Sequence, residues 1–265
     1  MKKIILLKLG GSLITDKTKP YTARYGIIKT LSNQIKKALT KNKDIKLIIG
    51  NGAGSFGHYP AAQYNLSEGI HNEDQKTGFC IVQDAVARLN RIVVEALLKA
   101  GVNAISLHPS SIIMARNKKI AQFFLEPLIA FLSLGVTPII YGDIVNDEAI
   151  GSSIFSTEQL FHEISKRLFK RKIRIDKIIH NGVTKGILDT KGRTIPLIRP
   201  NQMNSIKKIL YSTEGFDVTG GMLHKLENSI RLAKQGIQTF IIDGVSDDVL
   251  YRALIGEKVE GTVIR

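Results

Sequence analysis

The sequence predicts an α/β fold, a three-layer αβα sandwich with a mainly parallel central sheet. Short apolar segments alternate with longer amphipathic ones along all 265 residues, and no repeat, low-complexity tract or long linker divides them. Strands and helices that alternate in this way form a parallel sheet covered on both faces. We therefore expect a single domain over residues 1–265, with an N-terminal lobe over about 1–172 and a C-terminal lobe over about 173–265.

A second observation concerns the ends of the predicted strands. Ligands of open parallel sheets bind beyond the carboxyl ends of the strands, where tight turns bring the backbone close to them. Five of the apolar segments end in glycine or in an Asx–glycine pair, at Gly10, Gly50, Gly142, Asn181-Gly182 and Asp243-Gly244. The sequence thus predicts one shared cleft at this edge.

The individual elements follow the apolar periodicity. Predicted strands cover residues 4–9, 45–49, 104–107, 137–141, 177–180 and 239–242, with a closing edge strand over 261–265. Predicted helices cover residues 26–41, 74–100, 125–134, 157–168, 202–211 and 221–235. The pattern of residues 112–116 and 119–124 indicates a short excursion or a hairpin, and that of residues 60–71 indicates an irregular segment.

Charge and composition restrict the partners. The net charge of +15 favours anionic ligands, either nucleic acid or a phosphorylated small molecule. The densest basic run, residues 166–177, holds Phe169 as its one aromatic residue and no nucleic-acid motif, so we expect no nucleic acid. No run of about 18 apolar residues predicts a membrane span. The single cysteine, Cys80, lies in an apolar run, which predicts a buried structural thiol in a reducing cytoplasm.

The glycine-rich stretch after the second predicted strand can be interpreted in more than one way. It carries four glycines within residues 50–57, and such a loop either cradles phosphate or is simply a tight turn. Gly52 to Gly57 also matches G-x-G-x-x-G, the dinucleotide-binding pattern, which needs a helix directly after the loop and an acidic strand end about 20 residues on. Pro60 interrupts early, and Glu73 and Asp74 lie in a polar stretch, so this alternative is disfavoured.

Lysines on glycine turns indicate phosphoryl transfer. Lys8 stands two residues before Gly10, Lys17 follows the same loop, and Lys225 follows the glycine turn of residues 217–222. Positioning and neutralisation of phosphate charge account for most of the catalysis in such reactions. Neither a Walker A loop nor the motifs of protein kinases are present in the sequence.

These segments resemble the isopentenyl phosphate kinases of the amino acid kinase superfamily. Lys-Leu-Gly-Gly-Ser-Leu-Ile-Thr-Asp-Lys, residues 8–17, resembles their opening, and residues 52–58 resemble their phosphate loop and substrate histidine. The match continues through residues 141–143, 217–222 with Lys225, and 261–265, so it covers the whole chain. It implies the amino acid kinase-like fold, with an acceptor-binding N-terminal lobe and a nucleotide-binding C-terminal lobe.

The resemblance also implies an activity. The expected reaction is the ATP-dependent phosphorylation of isopentenyl phosphate to isopentenyl diphosphate in isoprenoid biosynthesis by the mevalonate pathway, with ATP and Mg²⁺ as cofactors. A homodimer in the cytoplasm is expected, without a membrane or nucleic-acid partner. No general base is required, since a phosphate acceptor is already an anionic nucleophile near neutral pH.

Residue roles follow from the same resemblance. Lys8 is expected to stabilise the γ-phosphoryl group in flight, while Lys17 and Lys225 hold the ATP phosphates. His58 is expected to bind and orient the acceptor phosphate, and no residue is assigned as a metal ligand. The remaining nucleotide-side residues are Leu9, Gly10, Gly11, Ser12, Gly54, Asp217 and Gly220, and the remaining acceptor-side residues are Ala53, Gly142 and Asp143.

Two segments depart from the family pattern. Ser156-Thr157-Glu158-Gln159 stands where the family has Ser-Gly-Asp-Asp, so Glu158 is expected to replace the aspartate that orients the catalytic lysines. Val183-Thr184-Lys185-Gly186 stands where relatives have Asp-Val-Asp-Gly, which changes the charge near the expected ATP position. Two alternatives stay open: a kinase related to fosfomycin kinases, and a sensor of the same fold that binds ATP without transferring phosphate.

Overall fold

The computed structural model describes residues 3–212 and 221–265 and confirms the predicted fold class. Its strands are β1 Lys3–Leu9, β2 Ile45–Asn51, β3 Ala104–Ser106, β4 Ile113–Arg116, β5 Lys119–Phe123, β6 Thr137–Tyr141, β7 Asp143–Asp147, β8 Gly151–Phe155, β9 Ile175–Gly182, β10 Leu197–Ile198, β11 Gln238–Asp243 and β12 Thr262–Ile264. Its helices are α1 Gly11–Ile14, α2 Tyr25–Lys41, α3 Gly54–Gln63, α4 Glu73–Lys99, α5 Pro109–Ile112, α6 Glu126–Leu134, α7 Thr157–Lys170, α8 Met203–Ser212, α9 Gly221–Ala233 and α10 Val249–Ile255. None of these helices is both long enough and apolar enough to cross a membrane.

The central sheet has the strand order β10-β12-β11-β9-β1-β2-β6-β3. The run from β11 to β3 is parallel throughout, and β12 is antiparallel to β11. All five strands with predicted glycine ends belong to the parallel run, so their carboxyl ends lie along one edge. The sheet therefore places the predicted turns side by side.

The two faces of the sheet carry separate hydrophobic cores. Ile5, Leu7 and Leu9 of β1 pack with α2, α4 and α10, whereas Leu6 packs with α6 and α7 on the other face. This alternation is the period of two that any strand shows. It also assigns Lys8 to the face that α7 covers, and this decides which helix reaches the lysine.

A smaller sheet, with the order β5-β4-β7-β8, lies beside the main one. Its β4–β5 hairpin matches the prediction, whereas β7 and β8 have no predicted counterpart. Asp143 and Asp147, at the two ends of β7, are polar yet buried, so a search for apolar periodicity misses the strand. Asp147 accepts hydrogen bonds from the amides of Asn117 and Lys118 and from the Ser153 hydroxyl, which tie the two hairpins together.

Three further predictions are wrong, and one helix, α10, has no predicted counterpart. A helix, α3, follows the glycine loop directly where an irregular segment is predicted; it contains the buried Pro60 and is supported by packing against α4. Strand β12 lies between β11 and the two-residue β10, and is not the edge. Cys80 is exposed, because the buried stripe of α4 runs through Val82, Ala85 and Leu89 and leaves Cys80 on its outer side.

Candidate active site

The glycine turns meet at the carboxyl edge of the central sheet, as the sequence predicts. Backbone hydrogen bonds continue from the strands into the turns and connect each strand end to its neighbour. They run from Gly10 N to Asn181 O (2.8 Å), Gly52 N to Leu9 O (2.9 Å), Gly142 N to Asn51 O (3.1 Å) and Gly244 N to Gly182 O (2.7 Å). The ends of β11, β9, β1, β2 and β6 therefore form a continuous hydrogen-bonded edge.

The turns after β1 and β2 pack backbone against backbone. A methyl group on Gly11 would lie 2.6 Å from the Gly54 nitrogen, and one on Gly54 would lie 2.1 Å from the Thr15 hydroxyl. Gly54 also has φ +51°, a conformation that L side chains rarely adopt. The Thr15 hydroxyl donates to Gly11 O (2.7 Å) and accepts from Ser55 N (3.1 Å), which fastens the two turns together.

Lys8, at the end of β1 just before the first of these turns, forms a buried ion pair with Glu158. Only 10% of the Lys8 side chain and 9% of the Glu158 side chain are exposed. Burial alone would raise the pKa of the Glu158 carboxyl, but the positive charges of Lys8 and Lys225 lower it below its usual range. Glu158 is therefore ionised at neutral pH and pairs with Lys8; that it orients a catalytic lysine stays a prediction.

The start of α7 fixes the position of Glu158. Ser156 caps the helix by accepting from Gln159 N (3.3 Å), while the Gln159 side chain accepts from Ser156 N (2.8 Å), a capping box. The Thr157 hydroxyl donates to Asn51 O (2.7 Å) at the end of β2. The departure from Ser-Gly-Asp-Asp therefore gives Gln159 a capping role and leaves Glu158 directed at Lys8.

Lys225 and His180 complete the charged cluster. Lys225, on α9, is partly buried, and its positive charge acts on both Glu158 and His180. His180, on β9, is in register with Lys8 on β1, so both side chains leave the sheet on the same face. The sequence predicts a strand that ends at His180 but no functional role for this residue. That His180 and Lys8 point to the same face of the sheet becomes apparent only when β1 and β9 are known to be neighbouring strands.

The predicted acceptor residues Ala53 and His58 lie at the start of α3. Ala53 is the N-cap residue of this helix, and His58 is exposed in its second turn. A hairpin-like loop over residues 15–23 folds against the same helix, with Tyr21 N donating to Ser55 O and the Tyr21 ring edge-on to Phe56 at 5.9 Å. This loop carries the exposed Lys17, and its predicted contact with the ATP phosphates stays a prediction.

Gly142 and Asp143 have structural partners of their own. Gly142 N donates a hydrogen bond to Asn51 O. The Asp143 carboxylate accepts hydrogen bonds from Ser110 N (3.0 Å) and Ile144 N (2.9 Å). Burial raises the pKa of Asp143 to about 6. The two residues hold the turn after β6 in place, and their contact with an acceptor stays a prediction.

The other predicted positions fall into three groups. Leu9 is buried in the core and Ser12 is half-buried in α1. Asp217 and Gly220 lie outside the described residues. Lys185 is exposed and pairs with Glu260 at 3.4 Å, which neutralises the charge that departs from the family pattern. Within residues 3–212 and 221–265, no group of three or more His, Cys, Asp or Glu side chains could hold a metal ion.

Comparison with known proteins agrees with this geometry. Residues 3–243 match the model of the amino acid kinase family. The chain belongs to this family. It is 32% identical to isopentenyl phosphate kinases from Methanothermobacter thermautotrophicus and from Methanocaldococcus jannaschii, in each case over 98% of both chains. A solved isopentenyl phosphate kinase structure superposes with a TM-score of 0.82 at 30% identity, covering 98% of this chain and 100% of that one.

These similarities place the chain among the isopentenyl phosphate kinases and confirm that it is a kinase. The matched range contains both glycine turns after β1 and β2, the start of α7 and the start of α9. All four members of the charged cluster therefore lie in the part of this kinase that corresponds to its family.

Proposed function

We propose that this kinase transfers the γ-phosphoryl group of ATP to isopentenyl phosphate and forms isopentenyl diphosphate and ADP. The supporting observation is the buried Lys8–Glu158 pair, with Lys225 beside it, at the edge where the glycine turns meet. In the reaction an oxygen of the acceptor phosphate forms a new bond to the γ-phosphorus. The bond from that phosphorus to the β–γ bridging oxygen breaks, and its electron pair leaves with ADP.

On the nucleotide side, Lys8 stabilises the γ-phosphoryl group during its transfer. Its ammonium is held by Glu158, and Lys8 lies at the end of β1, two residues before Gly10. A cation preorganised in a site with little water stabilises the charge of the transition state more strongly than one in solution. Lys17 and Lys225 hold the remaining phosphates, with help from the backbone of Gly10, Gly11, Ser12, Gly54 and Gly220.

On the acceptor side, α3 and His58 bind the phosphate of the substrate. The N-terminus of a helix favours an anion through its dipole and through N–H groups left unpaired, and α3 begins at the glycine turn, although Ser55 N there already donates to Thr15. His58 adds a hydrogen bond and neutralises charge. The two phosphates then meet above the turns that Thr15 holds together.

Mg²⁺ is proposed to arrive on the nucleotide. The described residues provide it with no carboxylate cage, and Glu158 is already engaged by Lys8. Mg²⁺ in kinase sites is held largely by substrate phosphates and water, which fits this set of residues. When bound, the ion neutralises phosphate charge.

The lobes, the assembly and the location are proposals of the same kind. One hydrophobic core is formed entirely by residues after position 173: Ile187, Ile198, Ile206, Leu226, Ile230, Ile241 and Ile264. This core supports a nucleotide lobe over about 173–265 and an acceptor lobe over about 1–172. We also propose a homodimer in the cytoplasm, acting in the mevalonate pathway of isoprenoid synthesis. Sedimentation of the purified protein tests the dimer.

The deciding experiment is a coupled assay of ADP release with four acceptors. Isopentenyl phosphate, dimethylallyl phosphate, geranyl phosphate and fosfomycin are compared at equal concentration with ATP and Mg²⁺. We expect the highest kcat/KM with isopentenyl phosphate. Preference for fosfomycin would support the alternative kinase, and ATP binding without turnover of any acceptor would support the sensor.

A further inference from the structure

His180 is a buried imidazole beside the proposed catalytic lysine. It is 5% exposed and in register with Lys8 on the neighbouring strand. Among the charged groups that act on it, Glu158 has the largest effect, followed by Lys8 and Lys225. No role in the proposed transfer uses this side chain, although Glu158, Lys8 and Lys225 all act on it electrostatically.

The surroundings of His180 keep it neutral. Burial lowers the pKa of its imidazole, and the positive charges of Lys8 and Lys225 lower it further against the opposing effect of Glu158. A neutral imidazole has one N–H donor and one lone pair. Its Nδ1 is buried without a hydrogen-bond partner in the described part of the chain. Native proteins rarely retain such an atom, since it costs free energy unless another state of the site gives it a partner.

Glu158 is the group that needs a further donor. An ionised carboxylate has two oxygens with about four acceptor positions, and Lys8 occupies Oε1. In the proposed transfer, Lys8 turns part of its hydrogen bonding from Glu158 toward phosphate oxygens. A buried carboxylate that loses its cation is strongly destabilised unless another donor compensates. His180 is the neutral donor next to it.

We propose that His180 is a positioning residue, a neutral N–H donor that holds the Glu158 carboxylate in place while Lys8 contacts the transferring phosphoryl group. The role rests on the proposed function and is exerted through Glu158, without contact to either substrate. A neutral donor suits this position because a third cation there would compete with Lys8 for Glu158. An apolar side chain would leave Glu158 dependent on the lysines alone.

Steady-state kinetics with ATP and isopentenyl phosphate test the proposal. His180→Leu and His180→Met remove the donor, whereas His180→Gln and His180→Asn return an N–H near the positions of Nε2 and Nδ1. Because a hydrogen bond to a charged group is lost, the apolar variants should lower kcat about 10- to 100-fold, with both KM values within about threefold of wild type. At least one carboxamide variant should recover most of this loss. A side chain that merely fills space would be replaced best by leucine or methionine.

Thr239→Val is the matched control. Thr239 lies on β11 in register with Ile178, so it is on the same face of the sheet as His180, and its hydroxyl is also buried without a partner among the described residues. Its removal should leave kcat unchanged. Melting temperatures of all variants show whether each one folds.

Coupling to Glu158 gives the decisive result. In a Glu158→Gln background, His180→Leu should have little further effect on kcat, because the carboxylate that it positions is gone. The role of His180 would be overturned if His180→Leu and His180→Met both kept the wild-type kcat. It would also be overturned if His180→Leu lowered kcat equally in the wild-type and Glu158→Gln backgrounds. A wild-type enzyme that does not phosphorylate isopentenyl phosphate would instead overturn the proposed function itself.

Discussion

Lys8 on β1 and Glu158 on α7 form an ion pair that is almost completely buried at the carboxyl edge of the central sheet. The pair joins an element from the beginning of the chain to one from its middle, and Lys8 stands directly before a glycine turn that binds phosphate in the proposed reaction. A buried pair of this kind is weak support for stability, since desolvation offsets its attraction. Its value lies in holding an ammonium group at a fixed position, and five predictions follow from this site and its surroundings.

Removal of the Lys8 ammonium should abolish turnover while both substrates still bind. We expect Lys8→Met to lower kcat by about 10²- to 10³-fold or more, the effect of losing one preorganised charge donor, with KM values changed far less. Methionine keeps the volume of the stem and spares the fold better than alanine. Lys37→Met, an exposed lysine of α2, is the control. Near-normal kcat in Lys8→Met would exclude Lys8 from the mechanism.

Loss of the Glu158 charge should disorganise the lysines. We expect Glu158→Gln to lower kcat at least about tenfold, because one-ångström displacements in such sites have large effects. Glu158→Asp restores the residue type of the family but shortens the side chain by one methylene, so it should fall between wild type and Glu158→Gln. A fully active Glu158→Gln enzyme would show that the charge does not organise Lys8.

His58 should act on the acceptor and not on ATP. We expect His58→Ala to raise KM for isopentenyl phosphate about 10-fold or more, the loss of a hydrogen bond to a charged group, with KM for ATP little changed. His71→Ala removes another exposed histidine, outside the proposed site, and should leave both constants unchanged. Unaltered acceptor KM and kcat in His58→Ala would refute the assignment.

A methyl group at Gly54 should damage both the fold and the activity. Its φ of +51° and the Thr15 hydroxyl 2.1 Å from the added carbon leave no space for alanine. We expect Gly54→Ala to lower the free energy of unfolding by at least about 1–3 kcal/mol, the cost of a strained backbone position, and to abolish turnover. Gly26→Ala in α2 meets nothing within 4 Å and should be neutral or slightly stabilising. Urea unfolding of both variants is the measurement.

Asp143 should make stability depend on pH. Its pKa is about 6 in the folded protein, raised by burial from 3.8. Between these values the folded state binds more protons than the unfolded state, so the free energy of unfolding falls as pH rises from about 4 to about 6. The contribution of Asp143 is at most on the order of 3 kcal/mol. Asp143→Asn should remove this slope when urea unfolding is repeated across the range.

Asp147 provides the contrast for this experiment. Burial alone would raise its pKa, but the hydrogen bonds from Ser153, Lys118, Ala149 and Asn117 lower it to about 2. Its contribution to stability is therefore fully present above about pH 4, the unfolded pKa, and is lost only as pH falls toward about 2. Asp147→Asn should destabilise the protein without changing the slope between pH 4 and 6. Equal slopes in wild type and Asp143→Asn would contradict the assignment to Asp143.

Much of the fold was predictable because its signals are local. The apolar run of β1, the helical periodicity of α2 and α4, and the glycine that ends each central strand are all properties of short segments. Elements whose burial comes from distant contacts were missed: β7 has buried aspartates at both ends, and α3 contains a proline yet is supported by α4.

The sequence by itself determined the α/β class, the line of glycine turns and the lysines that accompany them, because residue type and spacing fix turns and strand ends. The family resemblance suggested that Glu158 acts on the lysines, but only the tertiary structure showed the Lys8–Glu158 ion pair and the register of His180 with Lys8. These contacts depend on strand order and on which face of the sheet each side chain leaves, since β9 and β1 are neighbours in space but lie far apart in the chain. The sequence around each strand does not indicate which strands will be neighbours, because strand order is set by the packing of the whole chain.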